Sequence, residues 1–160
     1  MTPNYELLPV LMQWLHVGSA VLMIGGFFFL RVVLLPAAKV LPDPKKTQII
    51  DAAFRRFRVI VWIALVTILV SGVYNFITFL ISTGNHTVTD PNLAPDYSMY
   101  IVVLGVKFLI VTLIFILGIA LTFPYPVYAP IQKRPAPWLN LTLVLSLIVI
   151  LLSTFLRRMY

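Results

Sequence analysis

Four apolar runs, each long enough at about twenty residues to cross a bilayer, occupy most of this chain: Leu7 to Leu35, Val59 to Ser82, Tyr100 to Phe123 and Pro137 to Leu156. No soluble fold of 160 residues conceals that much apolar surface, with 61% of the residues hydrophobic, 11% charged and a mean hydropathy of +1.00. In a bilayer every backbone polar group must be satisfied within the segment, so four such runs read as four helices. The expected fold is therefore all-α: an integral membrane four-helix bundle, one domain over residues 1–160, with no separate soluble module. The first run is too long for a signal-peptide core and lacks a basic leader, so it reads as a retained span.

Charge sets the expected orientation. The end of the first run and the link after it carry Arg31, Lys39, Lys45, Lys46, Arg55, Arg56 and Arg58, and the link after the third carries Lys133 and Arg134. The link from Thr83 to Met99 has no Lys or Arg and holds Asp90 and Asp96. The positive-inside rule places the basic links in the cytoplasm of a bacterial inner membrane, with both termini and the 83–99 link outside. Arg157 and Arg158 oppose this assignment and are outweighed. The net charge of +7 thus reads as a topology signal and lipid contact, with the bilayer as partner and no nucleic acid. Trp14, Tyr97, Tyr100, Trp138 and Tyr160 sit near span ends, as an aromatic belt does.

Local signals sharpen the boundaries. Asp43-Pro44 reads as a helix start, and Ile49, Ile50, Ala53, Phe54 and Phe57 make an apolar stripe among arginines. That stripe fits an interfacial helix or a long helix projecting from the membrane. Pro36, Pro124 and Pro126 mark ends of spans. Asn85-His86-Thr87 matches a glycosylation acceptor by chance, and His86 reads as a solvated loop residue.

Ionisable groups inside spans are costly, by ~3 kcal/mol on insertion scales, and draw attention to His16 and Lys107. At ~1.5 Å per residue, His16, Lys107 and Asn75 fall ~9–12 Å from the outer span ends, with Ser153 at ~5 Å. Helical spacing groups Gln13, His16, Ser19, Ala20, Met23 and Gly26 on one side of the first span. It groups Thr67, Ser71, Asn75 and Thr78 on one side of the second, and Thr142, Ser146 and Ser153 on one side of the fourth. Small and polar stripes of this kind mark helix–helix contacts, leaving Leu, Ile, Val and Phe for lipid or a partner. Two plain readings stand beside a functional one: His16 bonded to Asn75 across the bundle, and Lys107 extended along its stem to the headgroups.

A neutral imidazole between helices is a good axial ligand for haem iron. Lys107 would face the propionates, and Gln13, Asn75 or Tyr74 would add hydrogen bonds. A lone intramembrane histidine excludes bis-histidine ligation within one chain. Copper is the rival, because Met12 and His16 at i, i+4 offer a thioether and an imidazole. With no cysteine, thiolate sites and c-type haem attachment are excluded. No intramembrane Asp or Glu, Gly-rich phosphate loop, HExxH or nucleophile elbow points to other catalysis. The third alternative is a non-catalytic subunit of a larger membrane complex, whose apolar faces bind neighbouring subunits, a second copy or pigments.

Several motifs occur in a recognisable order. Trp14-Leu15-His16, Gly25-Gly26-Phe27-Phe28-Phe29-Leu30 and Leu35-Pro36 resemble the opening of the copper-resistance protein D (CopD) domain. Arg55-Arg56-Phe57 leading into Ser71-Gly72-Val73-Tyr74-Asn75 resembles its second helix, and Gly105-Val106-Lys107-Phe108-Leu109 its third. The resemblance covers about residues 10 to 120, and the domain is similar to four-helix HemJ-type protoporphyrinogen oxidases. It implies b-type haem, with the first-helix histidine and third-helix lysine, here His16 and Lys107, as the functional pair. The copper branch implies copper passage across the inner membrane.

Overall fold

The computed structural model describes the backbone of residues 7–89 and 97–158 and the side chains of residues 7–81 and 99–158. Among these residues there are helices and turns and no strands. Four helices are long and apolar enough to cross a membrane. Helix α1 runs Leu7–Val40, α2 Asp43–Thr89, α3 Tyr97–Thr122 and α5 Pro135–Arg158, with a short α4, Ala129–Lys133, between the last two. Side chains of residues 82–98, 159 and 160 lie outside the described residues, and with them the readings of Asn85, His86, Tyr97 and Tyr160.

Helix α1 outruns its expected end at Pro36. Residues Phe29–Leu34 form a π-turn, closed by Leu35 N–H donating to Leu30 O, and a 3₁₀ turn, Ala38–Val40, ends the helix. The wide turn falls just before Pro36, whose ring would otherwise press on the carbonyl four residues back. Helix α2 starts at Asp43, as Asp43-Pro44 signals, and carries straight into the membrane-length run. The arginine-flanked stripe is thus part of one long helix. Ala53, Phe54 and Phe57 pack on the core while Ile49 stays exposed. At its other end α2 continues to Thr89, into the expected 83–99 link, because no proline interrupts it before Pro91.

Helix α1 packs mainly on α2, and α3 mainly on α5. Lesser contacts of α2 with α3 and of α1 with α5 close the ring. This is an up-and-down bundle, in which short links make sequence neighbours antiparallel. The short α4 follows a proline-rich bend, Pro124 to Pro130, in which prolines fall at first-turn positions where no N–H is needed. Gln132 of α4 donates from Nε2 to Ala120 O, 3.0 Å, and to Phe123 O, satisfying carbonyls left open at the end of α3.

The core is asymmetric along the bundle axis. Met23, Phe27 and Leu30 of α1 meet Phe57, Val61, Ala64 and Ile68 of α2, with Ile114, Phe115 and Leu121 of α3 and Leu139 of α5. Phe27 and Phe57 pack edge to face with centroids 5.1 Å apart. Glycines permit this closeness: a Cβ on Gly26 would lie 2.0 Å from Phe57 Cε2, and one on Gly118 3.1 Å from Phe27 Cζ. All of this lies at the middle of the bundle and toward its basic end. Toward the other end, among the described residues, α1 contributes no buried apolar residue before Met23 and α3 none before Ile114. Outward faces carry large apolar side chains on every long helix, Val21, Leu22, Ile63, Val70, Leu109 and Leu151 among them, the pattern expected when hydrocarbon or a partner is the solvent.

Candidate functional site

The expected small and polar stripes face the interior in part: Gln13 of α1 and Thr78 of α2 are exposed. Ser19 and Met23 of α1, Ser71 of α2, and Thr142 and Ser146 of α5 are buried. Thr67 and Thr78 of α2, Thr142 and Ser146 of α5, and likewise Ser153, use their hydroxyls to bond the carbonyl four residues back. That habit lets a hydroxyl sit in an apolar bundle with its donor satisfied.

His16 is half-buried on the inner stripe of α1, one turn from Ser19. Its Nδ1 lies 3.0 Å from Ser71 Oγ, and Ser71 Oγ in turn donates to Thr67 O at 2.5 Å. A hydroxyl has one hydrogen. With that hydrogen spent on the Thr67 carbonyl, Ser71 Oγ is left as an acceptor, and Nδ1 of a neutral His16 carries the proton. This sharing fits the tautomer of a neutral His16 that is protonated at Nδ1, with the electron pair on Nε2. The backbone of Ile68 on α2 also comes within hydrogen-bonding range of the ring. The ring is held close to α2 because residue 72 is glycine; a Cβ there would come within 3.3 Å of His16 Cε1.

Asn75 lies one turn along α2 from Ser71 and does not bond His16. Its Nδ2 donates to Gln13 Oε1 of α1, 3.3 Å. The polar layer is thus two parallel links between α1 and α2, His16–Ser71 and Gln13–Asn75. The expected His16–Asn75 bond is replaced because Ser71 is the residue directly opposite His16 in the helix register. Met12, one turn before His16, is half-buried. No cluster of three His, Cys, Asp or Glu side chains occurs among the described residues.

Lys107 sits on the inner stripe of α3, two turns from the buried Ile114, and is half-buried. It makes no hydrogen bond or ion pair among the described residues, and its charge is within electrostatic range of His16. Ser153 of α5 bonds within its own helix and adds nothing to the layer. The site therefore has three parts: an imidazole held by Ser71 of α2, an amide pair one turn away, and a cation brought by α3. Beside it, the α2–α3 groove widens into an open apolar hollow of about 450 Å³ lined by Phe76, Phe79, Leu80, Leu104, Gly105 and Phe108.

Sequence spacing pointed to Ser71 only as a small polar residue in a stripe. Its role as acceptor to His16 depends on the α1–α2 register. Two other interhelical bonds lie at the basic end: Arg31 Nε donates to Asn140 Oδ1 of α5, 2.6 Å, and Arg58 Nε to Thr122 O of α3, 2.9 Å. Comparison with family models, with curated proteins and with solved structures yields no match.

Proposed function

We propose that this protein is a multi-pass protein of a bacterial inner membrane, basic end in the cytoplasm, that binds b-type haem through His16 in a redox or electron-transfer role. The observation that carries this reading is the Thr67–Ser71–His16 chain of hydrogen bonds. A ligating histidine characteristically gives its second N–H to an acceptor that fixes ring orientation and tautomer, and Ser71 does this for His16. Lys107 supplies a cation for propionates, and Gln13 and Asn75 supply amide donors one turn away. The large apolar side chains of the surrounding helix faces suit the faces of a flat macrocycle. Haem bound there would supply one-electron redox chemistry. The order of motifs that resembles the CopD and HemJ-type domains points to the same two residues.

The test is an absorbance spectrum of protein produced with ample haem. A Soret band with reducible α and β bands is expected in the wild type and absent in His16→Ala, because no other histidine lies in the apolar runs. Lys107→Met should keep the band and change the reduction potential, since it removes a charge and no iron ligand. Wild-type protein without Soret absorption refutes the reading. Bound copper lost in Met12→Leu would favour copper handling instead, and co-purifying subunits without either cofactor would favour a structural role in a larger complex.

A further inference from the structure

The basic end of the α2–α3 groove gathers cations and aromatic rings that the haem reading leaves unused. Arg55, Arg58 and Trp62 are spaced i, i+3, i+7, so they share one face of α2. Arg58 is the pivot. Its Nε donates to Thr122 O, the last residue of α3, and its guanidinium lies 5.2 Å from the centre of the Phe123 ring. The two contacts fix the plane of the guanidinium and leave both Nη groups without a partner among the described residues. Arg55, one turn nearer the basic end, is exposed and equally unpaired. Neither arginine is in an ion pair: Asp51 lies one turn before Arg55 on α2 without pairing with it, and the one ion pair among the described residues is Lys46–Asp43, far along the projecting part of α2.

Aromatic side chains line the same groove. Trp62 packs edge-on against Phe123 at 5.6 Å, Phe123 stacks with Tyr125 at 6.1 Å, and Tyr125 meets Tyr128 at 6.2 Å. Trp62 and Tyr125 are 45% and 60% exposed, so these rings face whatever fills the groove. Trp and Tyr of this kind mark the depth at which hydrocarbon gives way to headgroups. Farther from the basic end α2 presents Ile63, Val66 and Leu69, all exposed, which suit an acyl chain.

We propose that Arg55 and Arg58, framed by Trp62, Phe123 and Tyr125, form a seat for the phosphate of an anionic phospholipid, whose acyl chains run along α2. The proposal rests on the membrane placement above and not on haem. Charge complementarity selects the occupant: two unpaired guanidiniums favour a headgroup with net negative charge over a zwitterionic one, whose own cation competes for the phosphate.

Trp62 supplies the reporter. Of the three tryptophans, Trp14 and Trp138 are replaced by Phe, and the protein is placed in bilayer nanodiscs without added haem. Fluorescence is titrated with bromine-labelled phosphatidylglycerol or bromine-labelled phosphatidylcholine. Phosphatidylglycerol should quench Trp62 with a preference of about tenfold over phosphatidylcholine. Arg55→Gln, at an exposed position with no internal contact to lose, should cut the preference severalfold, and Arg55→Gln/Arg58→Gln should abolish it. Lys133→Gln/Arg134→Gln removes the same charge from the same end and should leave it intact. Equal quenching by the two lipids overturns the seat. So does a preference that survives the double arginine variant, or one lost equally in the Lys133/Arg134 variant, which would indicate diffuse surface charge. Competition by millimolar inorganic phosphate in phosphatidylcholine discs would point to a soluble anion and also count against it. Quenching by neither lipid overturns both the seat and the membrane placement, whereas loss of the Soret band alone leaves the seat standing.

Discussion

Replacing Gly26 by alanine puts a methyl group where the Phe57 ring now sits. The added Cβ would lie 2.0 Å from Cε2, 2.5 Å from Cζ and 3.0 Å from Cδ2 of that ring. Carbon atoms settle at ~3.5–4.0 Å, so the ring must withdraw by ~1.5 Å. It has little room to do so, because Phe57 is buried and Phe27 packs against it edge to face. Overpacking of this kind costs ~1–3 kcal/mol, and the severity of the overlap argues for the upper half of that range. Alanine returns ~1 kcal/mol through its better helix propensity. The expected net effect of Gly26→Ala is a loss of ~1–2 kcal/mol. Leucine at position 57 lacks the two nearest ring atoms, so Phe57→Leu should relieve the overlap. A double-mutant cycle should then show compensation of ~1–3 kcal/mol. Denaturant-induced loss of helical circular dichroism in detergent micelles measures all four proteins. Gly26→Ala as stable as the wild type, with no coupling to Phe57→Leu, would refute the α1–α2 contact on which the register of the whole site depends.

Three further outcomes follow from the same geometry. Ser71→Ala removes the acceptor that fixes the His16 tautomer and should weaken haem retention roughly 10- to 100-fold while leaving helix content unchanged; unchanged retention would show that the hydrogen bond does not orient the ring. Gly118→Ala brings a Cβ to 3.1 Å from Phe27 Cζ and 3.6 Å from Val61 Cγ1, so it should lower stability by up to ~1 kcal/mol and perturb the cofactor spectrum from a distance. The chain has no cysteine, so single replacements at Met99 and Lys39 report topology. A membrane-impermeant maleimide added to intact cells should label the cysteine at 99 and spare that at 39, and the reverse pattern inverts the proposed orientation.

Composition and periodicity carry the four helices, because about twenty apolar residues in a row admit few other structures. They also carry the choice of inward faces: Ser19, Ser71, Thr142 and Ser146 are buried as their spacing implies. Pairing across helices was less legible. Spacing places His16, Ser71 and Asn75 on facing stripes but says nothing of the axial offset between α1 and α2. That offset is set by Gly26 against Phe57, a contact between residues far apart in sequence. One turn of offset decides whether His16 meets Asn75 or Ser71. Proline was a misleading stop at Pro36, where a π-turn absorbs the ring. The capping of α3 by Gln132 required the fold of the 124–130 bend, which no local pattern announces.

The two groups of most chemical interest reside on different halves of the bundle. His16, with its Ser71 and Asn75–Gln13 links, belongs to the α1–α2 pair; Lys107 belongs to α3, whose main partner is α5. The halves are locked together by the Phe27, Phe57, Val61 and Leu139 core, with Phe27 against Gly118. From Gly118 to Lys107 is ~16 Å along α3. A core that is tight at one end and polar and looser at the other makes each helix pair a lever about the Gly118 level. A few degrees of splay there shift Lys107 by about an ångström relative to His16, because displacement grows with distance along the helix. Added side-chain volume at the Gly118 level should therefore change the separation of cation and imidazole. Gly26 and Gly118, which touch neither group, are positioned to matter to the site as much as the residues that line it.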